Sequence, residues 1–186
     1  MTRILGADLG ERRIGLAVAD RDGGLAVALV TLRRSTPAQE AAAIARIAAE
    51  QDADELVVGL PLHASGAAGT QAEITRDWVA ALQPLVGLTI SLRDERLSSH
   101  LAEARVGPMK RGRSGGAPSR TQRDAHRGRI DREAAAIILQ DELDARAVSA
   151  ANKAIPANQA TKATHANQTN EVVGGPTADE DMETTR

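Results

Sequence analysis

The sequence predicts an α/β fold, a mixed five-stranded sheet flanked by helices, and three observations carry that prediction. Three strand-like segments open the chain on connections too short for a crossover, so they pair antiparallel. Helix-like and strand-like segments then alternate, the order that parallel strands require. One of the later strands, residues 55–60, is almost wholly apolar, as expected of a strand covered on both faces.

Residues 4–7 are an apolar run that leads directly into Asp8, with Gly10 in the turn beyond it. In the second strand Ile14, Leu16 and Val18 alternate with Gly15, Ala17 and Ala19. A bulky face opposite a small one suits a sheet with a helix pressed close on one side. The turn Asp20-Arg21-Asp22-Gly23-Gly24 leads to a third strand, residues 25–32. Thr36 caps a first helix with Pro37 at its first position, and Ala41, Ile44, Ile47 and Ala48 give its stripe as far as Gln51. Beyond strand 55–60, a Gly/Ala/Ser loop over 63–69 precedes a second helix, residues 70–85, with Ile74, Trp78, Ala81, Leu82 and Leu85 inward. A fifth strand, 88–92, runs into Arg93-Asp94-Glu95-Arg96, and a short third helix follows over 99–106. Residues 107–129 lack apolar periodicity, are rich in Gly and strongly basic, and read as a mobile loop. The last helix, 130–146, turns Ala134, Ile137, Ile138 and Leu143 inward and has Asp131 in its first turn. Residues 1–146 thus form one domain. Residues 147–186, composed of Ala, Asn, Thr and Gln without periodicity, read as a disordered low-complexity tail whose deletion leaves the fold intact.

Composition narrows the function. Trp78 is the only aromatic residue, so a nucleic acid partner would meet almost no stacking platform and would be recognised by shape and phosphate. Without Cys there is no disulfide, thiolate ligand or Cys nucleophile, and any metal must be held by oxygen or His. No targeting signal or long apolar segment stands out, so a cytoplasmic protein without membrane contact is expected. Of the 23 basic and 25 acidic residues, three and five lie in 147–186, leaving 20 of each in residues 1–146; any electrostatic footprint must be local.

Three acids occupy comparable positions: Asp8 ends the first strand, Glu95 follows the fifth, and Asp131 opens the last helix. Ligands collect beyond the carboxyl ends of parallel strands, so Asp8 and Glu95 share a crevice if their strands run the same way, with Asp131 completing it. Clustered carboxylates raise one another's pKa, and a hard divalent cation, Mg²⁺ or Mn²⁺, removes that conflict. Two such ions would suit phosphodiester cleavage. Each acid also has a plainer reading. Asp8 would serve as a turn residue, Asp131 as a helix cap, and Glu95 as an ion-pair partner of Arg93 or Arg96. Asp94 competes with Glu95 for the same role, and His63 is a lone loop histidine without an orienting partner.

The chain resembles the YqgF, or RuvX-like, family, a group provisionally assigned to Holliday-junction resolution and pre-16S rRNA processing. The matching residues are Ile4-Leu5-Gly6-Ala7-Asp8-Leu9-Gly10 with Arg13-Ile14-Gly15 and Val18-Ala19-Asp20; Val57-Val58-Gly59-Leu60-Pro61; Asp94-Glu95-Arg96-Leu97; and the run from Ile130-Asp131-Arg132-Glu133 to Ile138-Leu139-Gln140. Together they cover residues 3–146. The resemblance implies an RNase H-like fold and a metal-dependent nuclease, with the acidic trio on Asp8, Glu95 and Asp131. It implies phosphate contacts by Arg13 and Arg96 and a basic loop carrying Lys110, Arg111 and Arg113. Leu62-His63-Ala64-Ser65-Gly66 departs from the family's usual Asn-Met-Asp before Gly, and Ser98-Ser99 replaces Thr-Thr or Ser-Thr. The basic segment is also longer and richer in Gly than the family pattern.

The expectation is a divalent-metal-dependent nuclease for structured nucleic acid, with processing of the 5′ end of pre-16S rRNA favoured over Holliday-junction resolution. Either a monomer or a homodimer is compatible with the sequence. A rival is a non-catalytic nucleic-acid-binding or transcription-associated protein on the same scaffold. A nucleotide-binding module of the actin and Hsp70 type is disfavoured, because the chain lacks a second Asp-x-Gly hairpin and the Lys-Ser/Thr of a P-loop.

Overall fold

The apolar run that ends at Asp8 forms the middle strand of the sheet. In the computed structural model, which describes residues 2–62, 68–95, 98–109 and 117–154, this strand is β1 (Arg3–Leu9). It pairs antiparallel with β2 (Arg13–Asp20), which pairs antiparallel with β3 (Val27–Arg33). On its other side β1 pairs parallel with β4 (Ala53–Leu60), and β4 with β5 (Thr89–Asp94). The order is β3-β2-β1-β4-β5, a mixed five-stranded sheet as expected. Because β1, β4 and β5 run the same way, Asp8 and Glu95 emerge at the same edge.

Strand alternation sorts the sheet into two faces. Leu5, Ala7, Leu9, Ile14, Leu16, Leu56 and Val58 pack against α1 (Pro37–Glu50) and α2 (Thr70–Val86). Ile4, Ala17, Ala19 and Val57 pack on the opposite face against Ala135, Ile138, Leu139 and Leu143 of α4 (Arg120–Ala154). Ile138 and Leu139 are essentially fully buried, each worth about 1.5–3 kcal/mol of apolar transfer. A short α3 (Ser98–Val106) adds Ala102 to a patch with Ala134 and Ile137.

The small-residue face of β2 has its counterpart across the sheet. Gly6 on β1, Gly15 on β2 and Gly59 on β4 all lie under α4 or the side chains beside it. A Cβ on Gly6 would stand 2.8 Å from the Ala135 carbonyl oxygen, and one on Gly15 would overlap the backbone of Asp131. Gly6 and Gly15 therefore let the backbone of α4 lie lower on the sheet than any side chain there would permit.

Thr36 caps α1 with a reciprocal pair: the Gln39 amide donates to Thr36 Oγ1 at 3.3 Å, and the Thr36 amide reaches Gln39 Oε1. Such a cap contributes about 1 kcal/mol. The α2 stripe is rotated from the expected one. Ala72, Thr75, Trp78, Leu82 and Val86 are buried, while Ile74, Ala81 and Leu85 are exposed. Thr75 can face inward because its hydroxyl donates to the Gln71 carbonyl at 2.9 Å. Trp78 sends its indole N–H to Glu40 at 2.6 Å, and Glu40 also accepts from Arg34 Nε and the Ser35 amide.

The largest correction concerns residues 120–129, expected as loop and observed as the first turns of α4. The stop signal read there was the loss of apolar periodicity, but a helix on a polar surface has no apolar stripe to show. A start signal was present: Ser119 Oγ accepts from the Gln122 amide at 3.2 Å, and Gln122 Oε1 accepts from the Ser119 amide at 2.8 Å. At the other end α4 continues past Arg146 to Ala154, and the compact unit extends to Ser149. Arg146 fixes this end by hydrogen bonds to the buried Glu55, which Arg21 and Ser91 also contact. The hydrogen bonds from Arg146, ahead of the nearby charges, hold the Glu55 carboxyl below its usual range.

Candidate active site

Asp8 shares the α4-facing side of β1 with Ile4 and Gly6, by strand alternation. It is opposite Gly15 in the register with β2. Continuing the β1–β4 register by one residue beyond Ala7 and Val58 brings it beside Gly59. Both neighbours therefore lack a side chain, and each vacated position is filled by one of the other two acids. The backbone of Asp131 lies over Gly15, and the Glu95 carboxylate lies over Gly59. Adjacent strands are about 4.8 Å apart, so the three acids occupy three consecutive positions across β2, β1 and β4.

Burial, with the Asp131 carboxylate adding to it, pushes the Asp8 carboxyl up to about 7. Among the described residues nothing donates a hydrogen bond or an ion pair to it. Asp131 is tied instead to Arg13, whose Nε donates to Oδ2 at 2.5 Å, and Arg13 Nη1 lies 3.9 Å from Asp124. Asp131 is the twelfth residue of α4, so it caps nothing and its helix-start reading falls away. Glu95 is half-buried, and its amide donates to the Leu60 carbonyl at 3.2 Å, continuing the ladder one step past β5. The Arg93 expected as its partner bonds Glu142 of α4 instead. Arg93 and Glu95 share the α4 side; alternation turns Asp94 to the other face, away from Asp8.

Arg96, Lys110, Arg111, Arg113 and His63 lie outside the described residues. The structure thus groups Asp8, Glu95, Asp131 and Arg13. The sequence reading missed that Arg13 holds Asp131, and that Gly15 and Gly59 seat the other two acids. The glycines were visible, as residues of small volume at alternating strand positions beside an acid.

The donor set suits a hard divalent cation in kind, since it consists of carboxylate oxygens and one of them ionises reluctantly without a counter-charge. Yet among the described residues no three acidic or His side chains stand close enough to hold one ion. Asp131 is drawn towards Arg13, which leaves the set open.

Residues 2–145 match the family model described as RuvX, Holliday junction resolvase. The chain belongs to the YqgF/RuvX family. Relatives provisionally named pre-16S rRNA nucleases include one from Anaeromyxobacter dehalogenans, 45% identical over 145 residues, 78% of this chain and 98% of the relative. Another from Chloroflexus aggregans is 40% identical over 143 residues, 77% of this chain and 94% of the relative. Among solved structures, RuvC from T. thermophilus in complex with a Holliday junction substrate is similar at 13% identity and a TM-score of 0.45, covering 78% of this chain and 96% of that one. The family match spans β1 to α4 and so includes all three acids. No helix among the described residues is long and apolar enough to cross a membrane.

Proposed function

We propose that this YqgF/RuvX protein is a divalent-metal-dependent nuclease acting on structured nucleic acid. The observation that carries the reading is the row of acidic residues, with Asp8 flanked by two glycine positions that the Asp131 backbone and the Glu95 carboxylate fill. A structural role explains none of this: burying Asp8 without a partner among the described residues is costly, and a glycine on each side keeps the cost in place. Asp8, Glu95 and Asp131 would hold Mg²⁺ or Mn²⁺, one ion or two, which supplies water activation and charge neutralisation at the phosphoryl group. Within the chain, Arg13 orients Asp131 and offers a guanidinium to a phosphate oxygen. The sheet edge fixes Asp8 and Glu95 on rigid elements, and the low seat of α4 brings Asp131 beside them.

Processing of a ribosomal RNA precursor is the favoured task, supported by the names of relatives at 40–45% identity. The description of the family model favours a second, cutting of a four-way DNA junction. Two labelled substrates, a precursor rRNA fragment and a four-way DNA junction, separate them. Each is incubated with Mg²⁺, with Mn²⁺ and with chelator, for wild type and Asp8→Asn. Metal-dependent cutting of one substrate, lost in the variant, is expected. Binding without cutting under every metal condition would establish the non-catalytic rival.

A further inference from the structure

A groove of about 960 Å³ lies between β3 and the first half of α4. Eight of its lining side chains are arginines and one, Asp124, is acidic. Arg12, Arg13 and Arg33 come from the sheet side and the other five from α4. Only Arg13 forms an ion pair with a described residue. A solvated surface ordinarily mixes signs, and residues 1–146 as a whole are balanced at 20 bases and 20 acids. Seven arginines without an ionic partner among the described residues, facing one acid, therefore form a local field that the fold itself does not need.

The groove has a direction. Arg120, Asp124, Arg127 and Asp131 are spaced four, three and four residues apart, so they form one stripe of α4. The stripe ends at a candidate catalytic acid. Eleven residues of helix place Arg120 about 16 Å from Asp131 along the axis. α4 is held against the sheet midway, where Thr31 Oγ1 donates to the Gly128 carbonyl at 2.6 Å. β3 is an edge strand, paired on one side only, and its residues 29–33 line this space.

We infer that this groove binds the sugar-phosphate backbone of a nucleic acid leading to the cleavage site, and that residues 120–130 of α4 are a substrate-binding element. Guanidinium is the side chain best matched to phosphate oxygens, and Trp78, the only aromatic residue, is buried in the core, so bases are not stacked here. At one phosphate per about 3.4 Å of strand, 16 Å accommodates about five phosphates. The destination of the track rests on the nuclease reading; the binding chemistry does not.

The test is binding of the full chain, in chelator, to a labelled RNA duplex and a DNA duplex of the same sequence over 50–200 mM salt. For each phosphate contact the log–log slope changes by about 0.9, which is about 3.5-fold in affinity across that range. Arg120→Ala with Arg127→Ala should lower the slope by almost two units on the occupant duplex. Arg120→Lys with Arg127→Lys should keep it, and so should Arg46→Ala on the remote α1. Loss of slope on both duplexes identifies backbone charge as the feature read, and loss on one names the nucleic acid. Unchanged slope and affinity in the alanine pair, or no binding of either duplex by wild type, overturns the groove. Binding with this pattern but no cleavage under any metal would refute the nuclease reading and leave the groove standing. Cleavage with an unaltered slope in the alanine pair would do the reverse.

Discussion

Replacing Gly15 with alanine puts a methyl group where the backbone of α4 lies. The new Cβ would overlap the Asp131 carbonyl and stand 2.7 Å from the Arg132 amide nitrogen. Backbone in mid-helix cannot turn aside as a side chain can, so α4 must lift. Overpacking typically costs 1–3 kcal/mol, and a rigid obstruction belongs at the upper end, about 3 kcal/mol. Gly59→Ala is the informative contrast. Its Cβ would meet the Glu95 carboxylate and, at 2.6 Å, Ile138 Cδ1, both ends of side chains that can move. Alanine also narrows the unfolded ensemble by about 0.4–1 kcal/mol, so the net cost should stay within about 1 kcal/mol. Both variants displace a candidate catalytic carboxylate, and a 1 Å misplacement can cost about 100-fold in rate. Urea denaturation followed by circular dichroism gives the stabilities, and cleavage of the better of the two substrates gives the rates. Gly59→Ala should be nearly as stable as wild type and about 100-fold slower, whereas Gly15→Ala should lose both. A Gly15→Ala protein as stable as wild type would refute the seating of α4 described here.

Asp8 should make stability pH-dependent. Its native carboxyl is raised to about 7 against 3.8 ordinarily, so between those values the native state holds more protons than the unfolded one. Metal-free stability should therefore fall as pH rises from 4 to 7, by at most about 4 kcal/mol, less because Asp8 is partly exposed. Urea titrations at pH 5 and pH 8 should show the loss in wild type and little of it in Asp8→Asn. Glu40→Ala strands the Trp78 indole N–H and leaves Arg34 with the Gly10 carbonyl, at an expected cost of about 1–3 kcal/mol, read directly from the emission of the single tryptophan during denaturation. Truncation after Ala154 should leave the melting temperature unchanged. Truncation after Ala145 removes Arg146 from the buried Glu55 and should lower it by several degrees in a thermal melt.

Much of the fold was legible because its signals are local. The bulky and small faces of β2 foretold a helix lying close on one side, and that helix is α4, over Gly15, Ala17 and Ala19. The Thr36-Pro37 start of α1 came from capping chemistry alone. The α2 stripe was misjudged because Ile74 and Leu85 look more apolar than Thr75, whose hydroxyl is satisfied within its own helix. The early start of α4 was missed because its arginine-rich turns face a groove rather than a core. At the candidate site, the positions of Asp8 and Glu95 followed from strand order. The Arg13–Asp131 pair did not, because it joins residues 118 apart in sequence and depends on how low α4 rests. Burial of Asp8 likewise depends on the glycines beside it, which only strand register brings together.

The most direct test of the carboxylate row is a calorimetric titration of Mn²⁺ into metal-free wild type, Asp8→Asn, Glu95→Gln and Asp131→Asn at pH 8. Saturable binding by wild type that each single substitution weakens at least tenfold is the expected result, because the three acids are proposed to hold the metal together. Equal binding by wild type and Asp8→Asn would contradict it, and would reduce Asp8 to a buried acid with no part in holding a metal.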